Sequence, residues 1–93
     1  MSENLRKHPR TEIRVSVNLS FGDRQSRIVS TRDISAGGMF LVMDHPEQYP
    51  LGEIVQVHYL DPLNDDADTF KDALVVRNAE QGIAISFVEM DAF

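Results

Sequence analysis

Two short stretches of this 93-residue chain carry the side chains best suited to binding chemistry. The first is an Arg-x-x-x-Arg spacing, from Arg6 to Arg10, in a polar leader that also contains Lys7 and His8. An arginine fork can grip a phosphate through two hydrogen bonds, pair with guanine O6 and N7, or stack on a base. The spacing therefore suggests recognition of a phosphate or a base, although a solvated basic tail would carry the same charges.

The second stretch is Asp33-x-Ser35-x-x-Gly38, where a predicted strand ends in the glycine pair Gly37-Gly38. A carboxylate at Asp33 can accept hydrogen bonds from the N1–H and N2–H edge of a guanine, and the short hydroxyl of Ser35 can contact a base or a phosphate. The glycines permit a positive φ and close approach of a ligand to the backbone. By itself this spacing is also typical of an ordinary Asx or Ser turn, so its meaning depends on the first stretch.

The composition excludes several classes of function. There is no cysteine, which removes disulfides, thiolate metal sites and thiol nucleophiles, and the three histidines lack metal-ligand spacing. No nucleophile and base stand together in the sequence, so we expect no metal, no cofactor and no catalysis. No apolar run reaches the roughly 20 residues of a membrane-spanning helix, and the first residues lack a secretory signal. We therefore expect a cytoplasmic protein without a membrane partner.

Charge is unevenly distributed along the chain. Residues 1–36 have a net charge of +3 and residues 37–93 a net charge of −9. The leader, residues 1–10, cannot form a core, and Pro9 disfavours helical geometry at His8. We predict a flexible N-terminal arm over residues 1–10, mobile until a ligand orders it, followed by a single domain over residues 11–93.

The elements that must position these residues are strands. Alternating apolar residues predict a half-buried strand over residues 13–21, and the run Met39 to Met43 predicts a strand buried on both faces. The remaining predicted strands span residues 25–33, 53–60, 69–78 and 83–88. Six short strands without a helical period indicate an all-β antiparallel barrel or sandwich, and the barrel is favoured because it closes the sheet edges.

The order of these features resembles the PilZ domain of bacteria. The resemblance rests on the Arg-x-x-x-Arg leader, a strand opening Ile13-Arg14-Val15, a second strand, and the run from Asp33 to Phe40, with Gly37-Gly38 inside it. Val75-Val76-Arg77 and the segment Gly82 to Phe87 are similar to the closing strand pair of the family, so the resemblance extends over about residues 5–89. It implies a six-stranded antiparallel β-barrel of PilZ type, with little or no C-terminal helix, that binds cyclic di-GMP (c-di-GMP).

The resemblance also implies a set of site residues. The ligand contacts would be Arg6, Arg10, Asp33, Ser35 and Gly38. Secondary contacts would be Leu5, Lys7, His8, Arg32 and Gly37. A competing spacing from Arg10 to Arg14 exists, but we assign Arg14 to the polar face of the first strand. In relatives the position of Leu5 is linked to the number of stacked ligand molecules, and an apolar residue there suggests one.

The implied function is a receptor and adaptor. Its arm would order over the ligand and change a surface read by an unidentified effector protein. Relatives often continue into a C-terminal helix, whereas this chain ends at Phe93, and a second copy in a homodimer could bury the surface left uncovered. The acidic stretch Asp61 to Asp72 could contact a basic partner or simply keep the protein soluble.

Two alternative functions stay open at this point. The first is a PilZ-like protein–protein adaptor that does not bind nucleotide, against which the intact clamp residues argue. The second is a small β-barrel that binds single-stranded nucleic acid. The net charge of −6 and the few aromatic residues argue against a long polyanion as ligand.

Overall fold

Six antiparallel strands form a closed barrel in the computed structural model, which describes residues 11–88. The strands are β1 (Ser16–Ser20), β2 (Arg27–Ser35), β3 (Gly38–Val42), β4 (Ile54–Asp61), β5 (Ala67–Ala79) and β6 (Gly82–Phe87). Their order around the barrel is β1-β2-β3-β6-β5-β4. The predicted all-β barrel is therefore confirmed. The first and last residues of each predicted strand lie within three positions of those observed. The predicted arm, residues 1–10, and the chain end, residues 89–93, lie outside the described residues.

The helical elements of the described chain are two short 3₁₀ turns, Pro46–Gln48 and Pro62–Asn64. The first is attached to β5, whose Asn78 side-chain amide donates to the carbonyls of Pro46 and Tyr49. Between residues 11 and 88, no helix has the length and apolar character needed to cross a bilayer.

The core fills the barrel interior with inward-facing side chains from all six strands. The period-2 alternation of each strand supplies them. They include Val17, Leu19, Val29, Ile34, Met39, Leu41, Val55, Val57, Val75, Ile83 and Ile85. Two pairings between strands distant in sequence close the barrel: β3 with β6, where Leu41 faces Ile83, and β1 with β4, where Leu19 faces Val57.

The first strand is shorter than its alternating sequence predicted. The ladder begins at Ser16, and Ile13 is 36% exposed, whereas Val15 still packs against the core. Arg14 is exposed but lies outside any strand, and its predicted place on the face of the first strand is wrong. The reason is a side-chain interaction: the Thr31 hydroxyl accepts from the Val15 N–H and donates to the Ile13 carbonyl, replacing regular ladder bonds.

Two glycines allow β3 and β6 to approach each other closely. A Cβ atom placed on Gly82 would collide with the backbone carbonyl of Leu41, and one on Gly38 would collide with that of Ile85. Gly22 differs, because it has φ +59° in a turn and a Cβ there would meet open space. Gly82 and Gly38 are thus needed for packing, whereas Gly22 is needed for backbone conformation.

Substitution of these glycines should separate the energetic cost of lost close packing from the cost of backbone strain. We expect Gly82→Ala to lower the free energy of unfolding by about 3 kcal/mol, because two rigid backbones must move apart. Gly22→Ala should cost only about 1 kcal/mol, the strain of a left-handed residue. Urea unfolding followed by circular dichroism measures both values. A loss at Gly22 equal to or larger than the loss at Gly82 would contradict the close approach of β3 and β6.

Candidate functional site

The hairpin of β2 and β3 brings together the barrel half of the predicted site. Asp33 lies near the end of β2, Ser35 is its last residue, Gly37 is in the turn and Gly38 begins β3. The other half belongs to the leader. Its predicted contacts lie outside the described residues: Leu5, Arg6, Lys7, His8 and Arg10.

A bulge in β2 turns Asp33 toward the outside of the barrel. The register with β3 shifts between Thr31 and Asp33, which leaves Arg32 as the extra residue. Ahead of the bulge Thr31 is buried, and beyond it Ile34 is part of the core. Strict alternation from Thr31 would have pointed Asp33 inward, so the bulge places this carboxylate on the outer side of the sheet, opposite Phe40. Asp33 is nevertheless only 7% exposed.

The Arg32 guanidinium contacts both the Asp33 carboxylate and the Phe40 ring. The Arg32 Nε lies 3.2 Å from Asp33 Oδ2, and its Cζ lies 4.0 Å from the centroid of the Phe40 ring. Phe40 is 4% exposed although it lies outside the core cluster, and its ring packs over Gly82. The ring therefore supports the guanidinium by a cation–π contact. Arg32, predicted as a secondary contact, is in direct contact with Asp33.

Ser35 shapes the turn between the two strands. Its Oγ accepts from the Gly37 N–H at 3.2 Å and lies 3.4 Å from the Gly38 carbonyl, to which it can donate weakly. The Gly37 carbonyl accepts from the Phe87 N–H at 2.9 Å. These bonds are those of an ordinary Ser turn, and they fix the turn at the end of β6.

The glycine pair does not adopt the positive φ that its sequence permitted. Within residues 11–88 the glycines with positive φ are Gly22 and Gly52, and neither Gly37 nor Gly38 is among them. What approaches Gly38 closely is the carbonyl of Ile85 in β6. The packing of the barrel thus gives Gly38 a structural role in addition to its predicted role in the site.

The described chain begins beside this hairpin. The Thr11 N–H donates to the Ile34 carbonyl and the Ile34 N–H donates to the Thr11 carbonyl, both at 2.9 Å. Ile34 lies between Asp33 and Ser35, so residue 11 is pinned next to both. The Thr31 hydroxyl holds the following residues, through Ile13 and Val15. The leader therefore joins the barrel at the predicted site.

Sequence reasoning missed Thr31 and Phe40 as parts of this arrangement. One signal of the bulge is visible in the sequence: the buried positions Val29 and Thr31 are two apart, but the next apolar residue, Ile34, is three further on. Such a change of spacing indicates an extra residue in a strand. Phe40 was predicted as buried, which the structure confirms, but its contact with Arg32 depends on the pairing of β2 and β3.

The chemistry of the hairpin suits binding of a polar ligand. It offers a carboxylate acceptor at Asp33 and a supported guanidinium at Arg32, whose side chain is 47% exposed. These groups complement amide-like N–H donors and phosphate oxygens, respectively. No group of three or more His, Asp and Glu side chains in the described part of the chain lies close enough to hold a metal ion.

Comparison with known proteins connects this arrangement to a family. The family model of the PilZ domain matches residues 4–92. Among solved structures, the inhibitor of motility MotI/DgrA of Bacillus subtilis is similar, with 20% identity and a TM-score of 0.74 over 94% of this chain and 44% of that one. The PilZ domain of CeSA from a cellulose-synthesizing bacterium has 20% identity and a TM-score of 0.68 over 88% and 83%.

These two likenesses show the shared fold. The chain spans less than half the length of MotI/DgrA. A search of curated proteins gives no match.

Replacement of Thr31 should loosen the attachment of the leader. In Thr31→Val the Val15 N–H and the Ile13 carbonyl lose their partner, so we expect the free energy of unfolding to fall by about 2 kcal/mol. Amide hydrogen exchange at Val15 should accelerate. Thr69→Val is the matched control, because the Thr69 hydroxyl donates only within its own strand, to Ala67. Equal losses in the two variants would contradict the role of Thr31.

Proposed function

Because the chain belongs to the PilZ domain family, a family of cyclic di-GMP receptors, we propose that it binds cyclic di-GMP between its leader and the β2–β3 hairpin. The observation that carries this proposal is the pair of hydrogen bonds between Thr11 and Ile34. They fix the junction of leader and barrel beside Asp33, and so allow the two motifs of the sequence to act on one ligand.

The spacing of the leader fits this arrangement. Arg10 directly precedes Thr11, and Arg6 is five residues before it. A fully extended segment of five residues spans at most about 18 Å, so both arginines can reach a small ligand resting on Asp33. Cyclic di-GMP carries two phosphates and two guanines, and arginine forks can bind either kind of group.

Each part of the hairpin has a separate task in the proposal. Asp33 accepts hydrogen bonds from the N1–H and N2–H edge of one guanine. Arg32, held on Phe40, offers N–H donors and positive charge to a phosphate. Ser35 holds the turn through the Gly37 N–H, and Gly38 keeps β3 close to β6, so both maintain the shape of the hairpin on which the ligand would lie. The net charge of +3 over residues 1–36 attracts the dianionic ligand during encounter.

Binding would couple ligand affinity to ordering of the leader. The conformational entropy lost by the leader opposes binding, and charge-assisted hydrogen bonds offset that cost. The ordered leader would then present a new surface beside β2. An effector protein that reads this surface would make the chain a cytoplasmic adaptor in bacterial second-messenger signalling.

One observation favours the alternative of a PilZ adaptor that binds no nucleotide. The hydrogen bonds of Ser35 and the packing of Gly38 have structural explanations that need no ligand. Asp33 also has a structural partner, the Arg32 guanidinium. Nucleotide titration of variants at Asp33 and at the two leader arginines distinguishes the two functions.

Calorimetric titration with cyclic di-GMP tests the site residues. We expect Arg10→Ala and Asp33→Ala each to weaken binding at least tenfold, because each removes charge-assisted hydrogen bonds worth about 1.5–3 kcal/mol. Arg14→Ala is the matched control: it removes the same charge near the leader and should change the affinity less than twofold. Equal losses in all three variants would indicate diffuse electrostatic attraction instead of a defined site.

Removal of residues 1–10 tests the coupling between leader and ligand. The truncated protein, beginning at Thr11, should unfold within a few degrees of the full chain, because it keeps all six strands of the closed barrel and the core that they form. Cyclic di-GMP should raise the melting temperature of the full chain and leave that of the truncated protein unchanged. Equal stabilisation of both proteins would show that the leader takes no part in binding.

A further inference from the structure

The outer side of β4 and β5 is an exposed surface with no role in the proposed nucleotide site. Four cross-strand pairs form this β4–β5 face: Ile54 with Leu74, Gln56 with Asp72, His58 with Phe70, and Leu60 with Asp68. Phe70 is 71% exposed and Leu60 is 55% exposed. Large apolar side chains exposed together on one sheet face are typical of a protein–protein contact.

An aromatic stack lies at the centre of the face. The rings of His58 and Phe70 are parallel within 5°, with centroids 3.9 Å apart. The Asp68 Oδ1 lies 2.6 Å from His58 Nε2, so a carboxylate fixes the orientation of the imidazole. Phe70 therefore presents a flat ring whose position is set before any partner arrives, which lowers the entropic cost of binding to it.

Two carboxylates flank this ring along β5. Asp68 and Asp72 flank Phe70 on the same side of β5, four residues or about 13 Å apart. The stretch from residue 61 to 72 contains five aspartates and one basic residue, Lys71. Lys71 is on the opposite side of β5, with its Nζ 5.3 Å from the centroid of the Phe87 ring. The exposed ring thus lies between two carboxylates.

The face is separated from the β2–β3 hairpin by one strand on each side. In the order β1-β2-β3-β6-β5-β4, β1 lies between β4 and β2, and β6 lies between β5 and β3. On its β1 side the face continues into a shallow groove whose lining includes Asn18, Ser20 and the single cation Lys71. A partner could therefore occupy this face while nucleotide occupies the other side.

We propose that the β4–β5 face binds a basic segment of a partner protein. Arginine or lysine side chains would pair with Asp68 and Asp72 and lie over the Phe70 ring, since an exposed aromatic ring beside carboxylates favours a cation. Apolar side chains of the same segment would cover Leu60 and Ile54. A second copy of this chain fits less well, because two copies joined through this face would bring their carboxylates together.

An NMR titration with a synthetic peptide tests the proposal. The probe is Arg-Thr-Leu-Thr-Arg, capped at both ends, whose alternate side chains match the spacing of Asp68, Phe70 and Asp72 on an extended strand. Added to the ¹⁵N-labelled full chain without nucleotide, it should shift the amides of β4 and β5 at the face and leave those of the β2–β3 hairpin unchanged. The capped peptide Glu-Thr-Leu-Thr-Glu should shift neither set.

Matched variants locate the contact. Phe70→Ser and Asp72→Asn should each weaken binding of the arginine peptide by about fivefold. Ile28→Ser and Asp44→Asn make equivalent changes at exposed positions elsewhere and should alter it less than twofold. Thermal unfolding of each variant verifies that the barrel is intact.

Three results would overturn the proposal: equal losses in the face and control variants, shifts centred on the β2–β3 hairpin, or no binding at millimolar peptide. Shifts at the face that grow with protein concentration in the absence of peptide would also overturn it and assign the face to a second copy. Because nucleotide is absent, none of these results bears on binding of cyclic di-GMP.

Discussion

Two backbone hydrogen bonds, between Thr11 and Ile34, determine where the leader can act. Ile34 faces the core, so its neighbours Asp33 and Ser35 lie on the outer side of the sheet, where Asp33 is largely buried. The chain joins the barrel beside them, at Thr11. Without this attachment, the arginines of the leader and the carboxylate of Asp33 would be two unrelated features. With it, a chain of ten residues is enough to cover a small ligand on the hairpin.

The barrel positions β2 for this attachment by pairing it with β1 on one side and β3 on the other. The pairing with β3 contains one bulge. The bulge at Arg32 turns Asp33 outward, and Phe40 holds the Arg32 guanidinium next to it. Phe40 in turn depends on Gly82, whose missing side chain leaves room for the ring. The proposed nucleotide site on one side of the barrel thus depends on close packing of the strands on that side. The β4–β5 face takes no part in it.

The sequence was sufficient to predict the six strands, because alternation of buried and exposed side chains is a local property of each strand. Val55, Val57 and Tyr59, for example, were placed on one face and are all buried. The sequence was insufficient to predict that Arg14 lies outside β1. Its segment leaves the ladder because of the hydroxyl of Thr31, 17 positions away. It also gave no reason for Gly38 beyond the turn, since the carbonyl that excludes a side chain there belongs to Ile85. The position of Arg14 and the packing of Gly38 both depend on contacts between segments distant in sequence. The predictions for the leader arginines are not tested, because these residues lie outside the described part of the chain.

If leader and hairpin share one cyclic dinucleotide, both should respond to it together. A titration of the ¹⁵N-labelled full chain with cyclic di-GMP, followed amide by amide, measures this. We expect saturable shifts at Thr11, at the hairpin from Asp33 to Gly38, and in the leader, all with one dissociation constant. An unchanged spectrum at millimolar nucleotide, or shifts confined to the leader, would contradict this expectation.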